Sequence, residues 1–152
     1  MLHDNKKITF LITSLSGGGS EGLSVNLANS LAKRGWEVNL IVLHMKNSVY
    51  HERLNKNVNF VILDTKHAVY SPYKLIKYLL TNKPKKILVF TYELTVITIL
   101  IKKLLNVNIT IIARNRNTMS HVQKRPGGLW VKLIVNPLVK IFYSYADHII
   151  NQ

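Results

Sequence analysis

The sequence predicts an α/β domain, a Rossmann-like three-layer α/β/α fold around a mainly parallel sheet. Short apolar runs alternate with helical patterns along the whole chain. The run at 109–113 is apolar almost throughout, as strands are when helices cover both faces of a parallel sheet. Nearly half of the 152 residues are hydrophobic, and no repeat or linker is visible. We therefore expect one domain that spans residues 1–152.

The first half of the chain contains three predicted strands and one helix. An apolar run at Ile8–Leu15 is the first strand, and Glu21–Lys33 is the first helix, with leucines at four-residue spacing on one face. Gly35 lies where a helix commonly ends. The second and third strands are predicted at Val38–Leu43 and Asn57–Leu63.

The second half continues the alternation. Ser71 and Pro72 are typical of an N-cap followed by the first position of a helix. The later elements, in chain order, are a strand at Ile87–Phe90, a helix at Leu94–Leu105, a strand at Asn108–Ala113, a basic loop at 114–128, a helix at Leu129–Tyr145 that Pro137 interrupts, and a strand that begins at His148. In such a sheet, ligands bind beyond the carboxyl ends of the strands.

A glycine-rich turn joins the first strand to the first helix. Bare backbone amides at the positive end of a helix dipole form an anion site. Gly17, Gly19 and Gly22 match the dinucleotide motif G-x-G-x-x-G. The second strand is followed by Leu43–Lys46, which offers no carboxylate for a ribose but a lysine that suits the extra phosphate of NADP. An NADP-binding Rossmann protein is therefore one alternative, and a tight turn that binds nothing is another.

The composition narrows the classes of partner. The formal charge of +14 favours anionic partners, although a lysine-rich solvated surface accounts for it equally well. With no cysteines there are no disulfides or thiolate metal sites, and the six histidines lack metal-ligand spacing, so no metal is expected. The sequence has no nucleic-acid recognition motif and no aromatic stacking platform, so nucleic acid is not an expected partner.

Several segments, taken in order, resemble the N-terminal domain of family-4 glycosyltransferases with the GT-B fold. The segments are Gly18–Glu21, Asn26–Ala28, Arg34–Val38, Ile111–Asn115 and Tyr145–Ile150. They are similar to the family's glycine loop, its Asn-Leu-Ala helix, its Arg-Gly-x-Glu-Val turn, its strand with a following Arg-Asn, and its Ala-Asp turn into the last strand. The resemblance covers essentially the whole chain.

The resemblance implies a role on the acceptor side of a glycosyl transfer. Amides of Gly18, Gly19 and Ser20 would donate hydrogen bonds to the diphosphate of a donor sugar, which stabilises the leaving group without a metal. Arg114 and Asn115 would face the diphosphate or an anionic acceptor. A UDP- or GDP-sugar would be the co-substrate, with no other cofactor, and a glycan or lipid-linked acceptor would receive the sugar.

The family's C-terminal domain grips the donor with a pair of glutamates, and this sequence contains no such pair. We therefore expect the donor-binding domain to be absent from this chain, and the chain to transfer no sugar alone. It would be a truncated reading frame, an expressed domain, or one subunit of a split enzyme with a separate donor-binding subunit.

Two residues are candidates for catalysis. His121 lies in the basic loop, where it would assist a proton transfer or simply be exposed to solvent. Glu21 matches the family's loop glutamate, but a carboxylate in the first helical turn also stabilises the helix dipole.

The segment after residue 120 also carries a candidate membrane surface. Lys124, Arg125, Trp130 and Lys132 alternate with apolar residues, as in helices that lie in a membrane interface. A core-facing helix with snorkelling lysines gives the same pattern. Since neither a signal peptide nor a membrane-spanning run is visible, we expect a cytoplasmic protein, peripheral at the inner face of the cell membrane and serving polysaccharide or glycolipid assembly. A non-catalytic membrane-surface subunit is the remaining alternative.

Overall fold

The structure is a computed structural model that describes residues 6–65, 71–115, 137, 141 and 143–151. The strands in these residues are β1 at Lys7–Ile12, β2 at Glu37–Val42, β3 at Val58–Ile62, β4 at Lys86–Val89, β5 at Thr110–Asn115 and β6 at His148–Asn151. They form one sheet in the order β3-β2-β1-β4-β5-β6, and every pairing is parallel. The predicted Rossmann-like fold class is confirmed.

Helices cover both faces of the sheet. The helices are α1 at Gly19–Lys33, α2 at Pro72–Asn82 and α3 at Tyr92–Leu105, with short 3-10 turns at His51–Arg53 and Tyr143–Tyr145. Phe10 and Leu11 are neighbours on β1 and point to opposite faces. Phe10 belongs to the core with Val25 of α1, whereas Leu11 belongs to the core with Leu79 of α2 and Leu94 of α3. The helices therefore form the two outer layers.

The predicted first strand is longer than the observed one. β1 ends at Ile12, yet Leu15 remains fully buried, since the turn folds inward and the Leu15 carbonyl accepts a hydrogen bond from the Tyr50 amide at 3.2 Å. Leu15 is therefore apolar because it is buried in the turn, and it extended the predicted strand beyond the observed end.

The predicted fifth strand stops too early. β5 continues through Asn115, which pairs with Asn151 of β6, so Arg114 and Asn115 lie in a strand and not in a basic loop. A polar strand end gives no apolar signal from which its boundary could be read.

The helix starts also differ from the predictions. α1 begins at Gly19, two residues earlier than predicted. α2 begins at Pro72 as predicted, but the backbone of Ser71 is itself helical and the Ser71 side chain makes no cap hydrogen bond. Most of the predicted helix Leu129–Tyr145 lies outside the described residues, and its last three residues form a 3-10 turn.

Asp147 connects three elements beside the last two strands. Its carboxylate accepts hydrogen bonds from the Ile111 amide of β5 at 2.7 Å and from Lys102 Nζ of α3 at 2.8 Å. Burial alone would raise the pKa of Asp147, but these hydrogen bonds and the Lys102 charge outweigh it and lower the pKa. The aspartate of the Ala-Asp turn is therefore a structural clamp on β5.

Replacing Asp147 with alanine is expected to lower the free energy of unfolding by about 2 kcal/mol, because the buried Ile111 amide loses its acceptor. A lowered folded-state pKa stabilises the fold above the ordinary carboxyl value of 3.8, and this part is lost as the pH falls through the folded pKa. Urea unfolding of wild type and variant between pH 7 and pH 3 measures both effects. Asp64→Asn, at a fully solvated carboxylate, is the control, and equal stability of Asp147→Ala and wild type at pH 7 would contradict the clamp.

Candidate functional site

The candidate site lies where the strand order reverses. β1 pairs with β2 on one side and with β4 on the other, so the chain segments after β1 and β4 leave the sheet in opposite directions. A crevice opens between them at the carboxyl edge of the sheet. The glycine turn after β1, Thr91 after β4 and Arg114 near the end of β5 all lie at this edge.

The glycine turn presents the N-terminus of α1 to the crevice. Gly17 has a φ of 117°, a conformation that side chains other than glycine's rarely adopt. Gly18 is the N-cap and has no side chain with which to cap the helix. The Gly22 amide donates to the Gly18 carbonyl at 3.0 Å, which closes the first helical turn. The amides of residues 19–21 therefore precede the first intrahelical hydrogen bond and are suited to bind an anion.

Arg114 reaches the same helix end from the neighbouring half of the sheet. Its Nη1 lies 3.5 Å from the Ser20 Oγ, and its guanidinium carbon lies 5.8 Å from the centroid of the Phe90 ring. Phe90 packs edge-on against Phe10, with ring centroids 5.5 Å apart. Arg114 is only 9% exposed, and its guanidinium lies between the Phe90 ring and the Ser20 hydroxyl. A fixed guanidinium beside a helix N-terminus is an arrangement suited to a phosphate.

Glu21 lies over the start of its own helix. A Cβ added to Gly18 would come within 3.1 Å of the Glu21 Cδ and 3.3 Å of its Oε1. The lack of a side chain at Gly18 therefore lets the carboxylate fold back over the N-cap. Position 21 is the third residue of the helix, from which a glutamate commonly reaches back to the cap. A carboxylate at this position stabilises the helix dipole, which accounts for Glu21 without a catalytic role.

The third glycine of the motif makes room for a tyrosine. A Cβ on Gly22 would lie 3.2 Å from both Cζ and Oη of Tyr50, so the residues after β2 pack on α1. Asn29 of α1 binds the same segment through two hydrogen bonds. Its side chain donates to the Arg53 carbonyl and accepts from the Asn55 amide, each at 2.7 Å. The spacing of the motif thus has a packing explanation that needs no dinucleotide.

Three buried polar atoms at the carboxyl edge make no hydrogen bond within the described residues. They are His44 Nδ1 after β2, Thr65 Oγ1 after β3 and Thr91 Oγ1 after β4. Each such atom costs free energy, and most folded proteins contain few of them. The sequence indicated the carboxyl ends of the strands in general but none of these three residues as binding residues. Their only sequence signal is a polar residue within three positions of the end of a strand.

The remaining predicted site residues divide into two groups. Asn115 lies at the end of β5, and its backbone pairs with β6. Outside the described residues lie His121, Lys124, Arg125, Trp130 and Lys132. Within the described ranges, no group of histidine and carboxylate side chains is arranged to hold a metal ion, and no helix is both long and apolar enough to cross a bilayer.

Comparison with known proteins identifies the fold. No family model and no curated protein matches the chain. Among solved structures, sucrose-phosphate synthase from Thermosynechococcus elongatus matches with a TM-score of 0.69 at 12% identity, over 95% of this chain and 41% of that one. A ugt transferase from Siraitia grosvenorii, solved in complex with UDP, matches with a TM-score of 0.52 at 8% identity, over 77% of this chain and 29% of that one.

Both matched proteins are glycosyltransferases of the GT-B fold, and this chain spans less than half the length of either. At such low identity the likeness is one of fold. The chain therefore has the Rossmann-like architecture of a domain found in GT-B glycosyltransferases.

Replacing Thr65 with valine is expected to leave the free energy of unfolding unchanged or to raise it by up to about 1 kcal/mol, because the buried hydroxyl loses no partner. The matched control is Thr98→Val, since the buried Thr98 hydroxyl donates to the Leu94 carbonyl at 2.7 Å. This control is expected to lose about 1 kcal/mol. Chemical denaturation measures both variants, and a larger loss for Thr65→Val than for Thr98→Val would show that Thr65 has a structural role.

Replacing Gly22 with alanine tests the packing explanation of the motif. Alanine favours a helix interior over glycine by about 1 kcal/mol. Contact with Tyr50 is expected to cancel most of that gain in the wild-type background, whereas the full gain returns in a Tyr50→Ala background. A double-mutant cycle of unfolding free energies measures the coupling. Equal gains in both backgrounds would refute the contact.

Proposed function

We propose that this chain is the acceptor-side domain of a GT-B glycosyltransferase. Together with a donor-binding domain, it would transfer a sugar from a UDP- or GDP-sugar to a glycan or lipid-linked acceptor. One observation carries the proposal: the buried guanidinium of Arg114 lies beside Ser20 in the first turn of α1, where the strand order reverses. The fold shared with two glycosyltransferases, one of them solved with UDP, supports it.

The two halves of the site would have different tasks. Amides at Gly19 and Ser20 together with Arg114 would bind the diphosphate across the domain cleft. As the bond to the sugar breaks, charge accumulates on the leaving diphosphate, and donors already oriented toward it stabilise that charge. The unsatisfied groups of His44, Thr65 and Thr91 lie along the same edge and would receive hydroxyl groups of the acceptor.

The reaction needs more than this chain. Because the chain spans 41% and 29% of the two matched proteins, the complete transfer is proposed for this domain acting with a donor-binding domain, whether that domain is on the same polypeptide or on another. The residues proposed to bind the diphosphate nonetheless all belong to this chain. It is therefore testable without a partner.

The test is a calorimetric titration of the chain with pyrophosphate and with UDP. Both are expected to bind, and Arg114→Met is expected to weaken both about tenfold or more through loss of charge-assisted hydrogen bonds. Arg114→Lys should fall between the two, because an ammonium does not offer the bidentate guanidinium fork. Lys33→Met, at the opposite end of α1, is the matched control and should bind as wild type does.

Three results would contradict the proposal. Equal UDP binding by wild type and Arg114→Met would show that Arg114 does not bind the diphosphate. Binding of NADPH more tightly than UDP would favour the dinucleotide-binding alternative. Binding of anionic vesicles in a salt-sensitive manner, with no binding of UDP or pyrophosphate, would favour a non-catalytic membrane-surface subunit.

A further inference from the structure

A surface groove separates α2 from the end of β3, away from the diphosphate site. It has a volume of about 460 Å³. One wall is a continuous stripe of α2, formed by Tyr73, Lys74, Lys77, Tyr78, Thr81 and Asn82. The positions follow the i, i+4 spacing of one helix face, so the stripe runs about 14 Å along the helix.

The opposite wall lies on the edge strand. Ile62 is 47% exposed, and β3 forms the outer edge of the sheet within the described residues. The lining residues Leu63 and Asp64 directly follow β3 and precede Thr65, so the groove begins at the same carboxyl edge as the acceptor half of the proposed site. From there it extends along α2 toward Asn82.

The groove combines aromatic side chains with hydroxyl and amide groups. Tyr73 is 76% exposed, whereas Tyr78 is half-buried, and together they offer aromatic walls on which the C–H faces of sugar rings pack. Thr81 and Asn82 add hydroxyl and amide groups for hydrogen bonds to sugar hydroxyls. The apolar lining of Ile62 and the two tyrosines is interrupted by lysines, Thr81 and Asn82, whereas an amphipathic helix would need a continuous apolar stripe.

The charge of the groove is positive. Lys74 Nζ donates to the Asp64 carbonyl at 2.9 Å, which fixes one ammonium at the mouth of the groove. Lys77 lies one turn further along α2 and is exposed. Among the described residues that line the groove, the acidic side chain is that of Asp64, which lies 4.0 Å from Lys74 and is almost fully solvated. The complementary ligand therefore carries negative charge.

We propose that this groove binds an acidic oligosaccharide, with sugar rings against Tyr73 and Tyr78 and sugar carboxylates near Lys74 and Lys77. Because the groove begins at the edge where the acceptor would bind, it holds the sugars that follow the acceptor's terminal residue. The second statement rests on the proposed function; binding in the groove does not. The acceptor class is thus an acidic glycan chain and not a single sugar.

The test titrates the chain with oligogalacturonates of two, four and six residues, followed by calorimetry. Affinity is expected to rise with length and to fall with added salt. Maltohexaose, a neutral oligosaccharide of equal length, should bind at least tenfold more weakly than hexagalacturonate. Chemical-shift changes in the wild-type chain should concentrate on α2 and on the end of β3.

The variant is Tyr73→Ala combined with Lys77→Gln, two exposed side chains whose loss leaves the core intact. It should weaken hexagalacturonate at least tenfold and leave UDP binding unchanged. The matched control combines Tyr145→Ala with Lys33→Gln, an exposed tyrosine and an exposed lysine elsewhere, and should stay within twofold of wild type.

The outcomes separate the two proposals. No binding of hexagalacturonate, or equal binding by variant and wild type, overturns the proposal for the groove, whether or not the chain binds UDP. Poly-glutamate binding as tight as hexagalacturonate, and insensitive to Tyr73→Ala, would identify a surface for acidic peptides and also overturn it. Loss of UDP binding in Arg114→Met, with hexagalacturonate unaffected, supports the diphosphate site independently of the groove.

Discussion

The parallel pairing of β1 with both β2 and β4 is the constraint on which the rest of the structure depends. β1 has a neighbour on each side. The chain therefore crosses from β1 to β2 over one face of the sheet, and later crosses from β3 back to β4 over the other face. α1 consequently covers one face, and α2 and α3 cover the other. The crevice at the carboxyl edge follows from this topology, whatever side chains occupy it. Function then depends on what the turn after β1 presents there.

Near that edge, one pair of aromatic side chains positions Arg114. Phe10 and Phe90 come from β1 and β4 and meet edge to face above the sheet. Their contact provides an apolar floor for the Arg114 guanidinium, which lies 5.8 Å from the Phe90 centroid. An arginine held in this way has already lost its conformational freedom before a ligand arrives, so less entropy is lost on binding.

Sequence patterns predicted the elements of the fold well, because both the period of a helix and the apolar run of a buried strand are local signals. The position of the glycine turn at the start of α1 could also be predicted, since the strand, the glycines and the helix start are neighbours in the chain. The contact between Ser20 and Arg114 joins residues 94 positions apart, and no local pattern carries it. The contact between Tyr50 and Gly22 likewise joins residues that are distant in the chain. Gly22 is needed for this packing, and its spacing from Gly17 and Gly19 happens to match the dinucleotide motif.

The position of Glu21 over the N-cap has an electrostatic consequence. Its carboxylate lies at the positive end of α1 and offsets the field of the helix dipole there. An incoming anion has to compete with a charge that is tethered to the site and therefore present at high effective concentration. A singly charged ion gains little from that exchange, whereas a diphosphate brings more charge and more acceptor oxygens than it displaces. Under the proposed function, this exchange therefore favours a diphosphate over a singly charged ion.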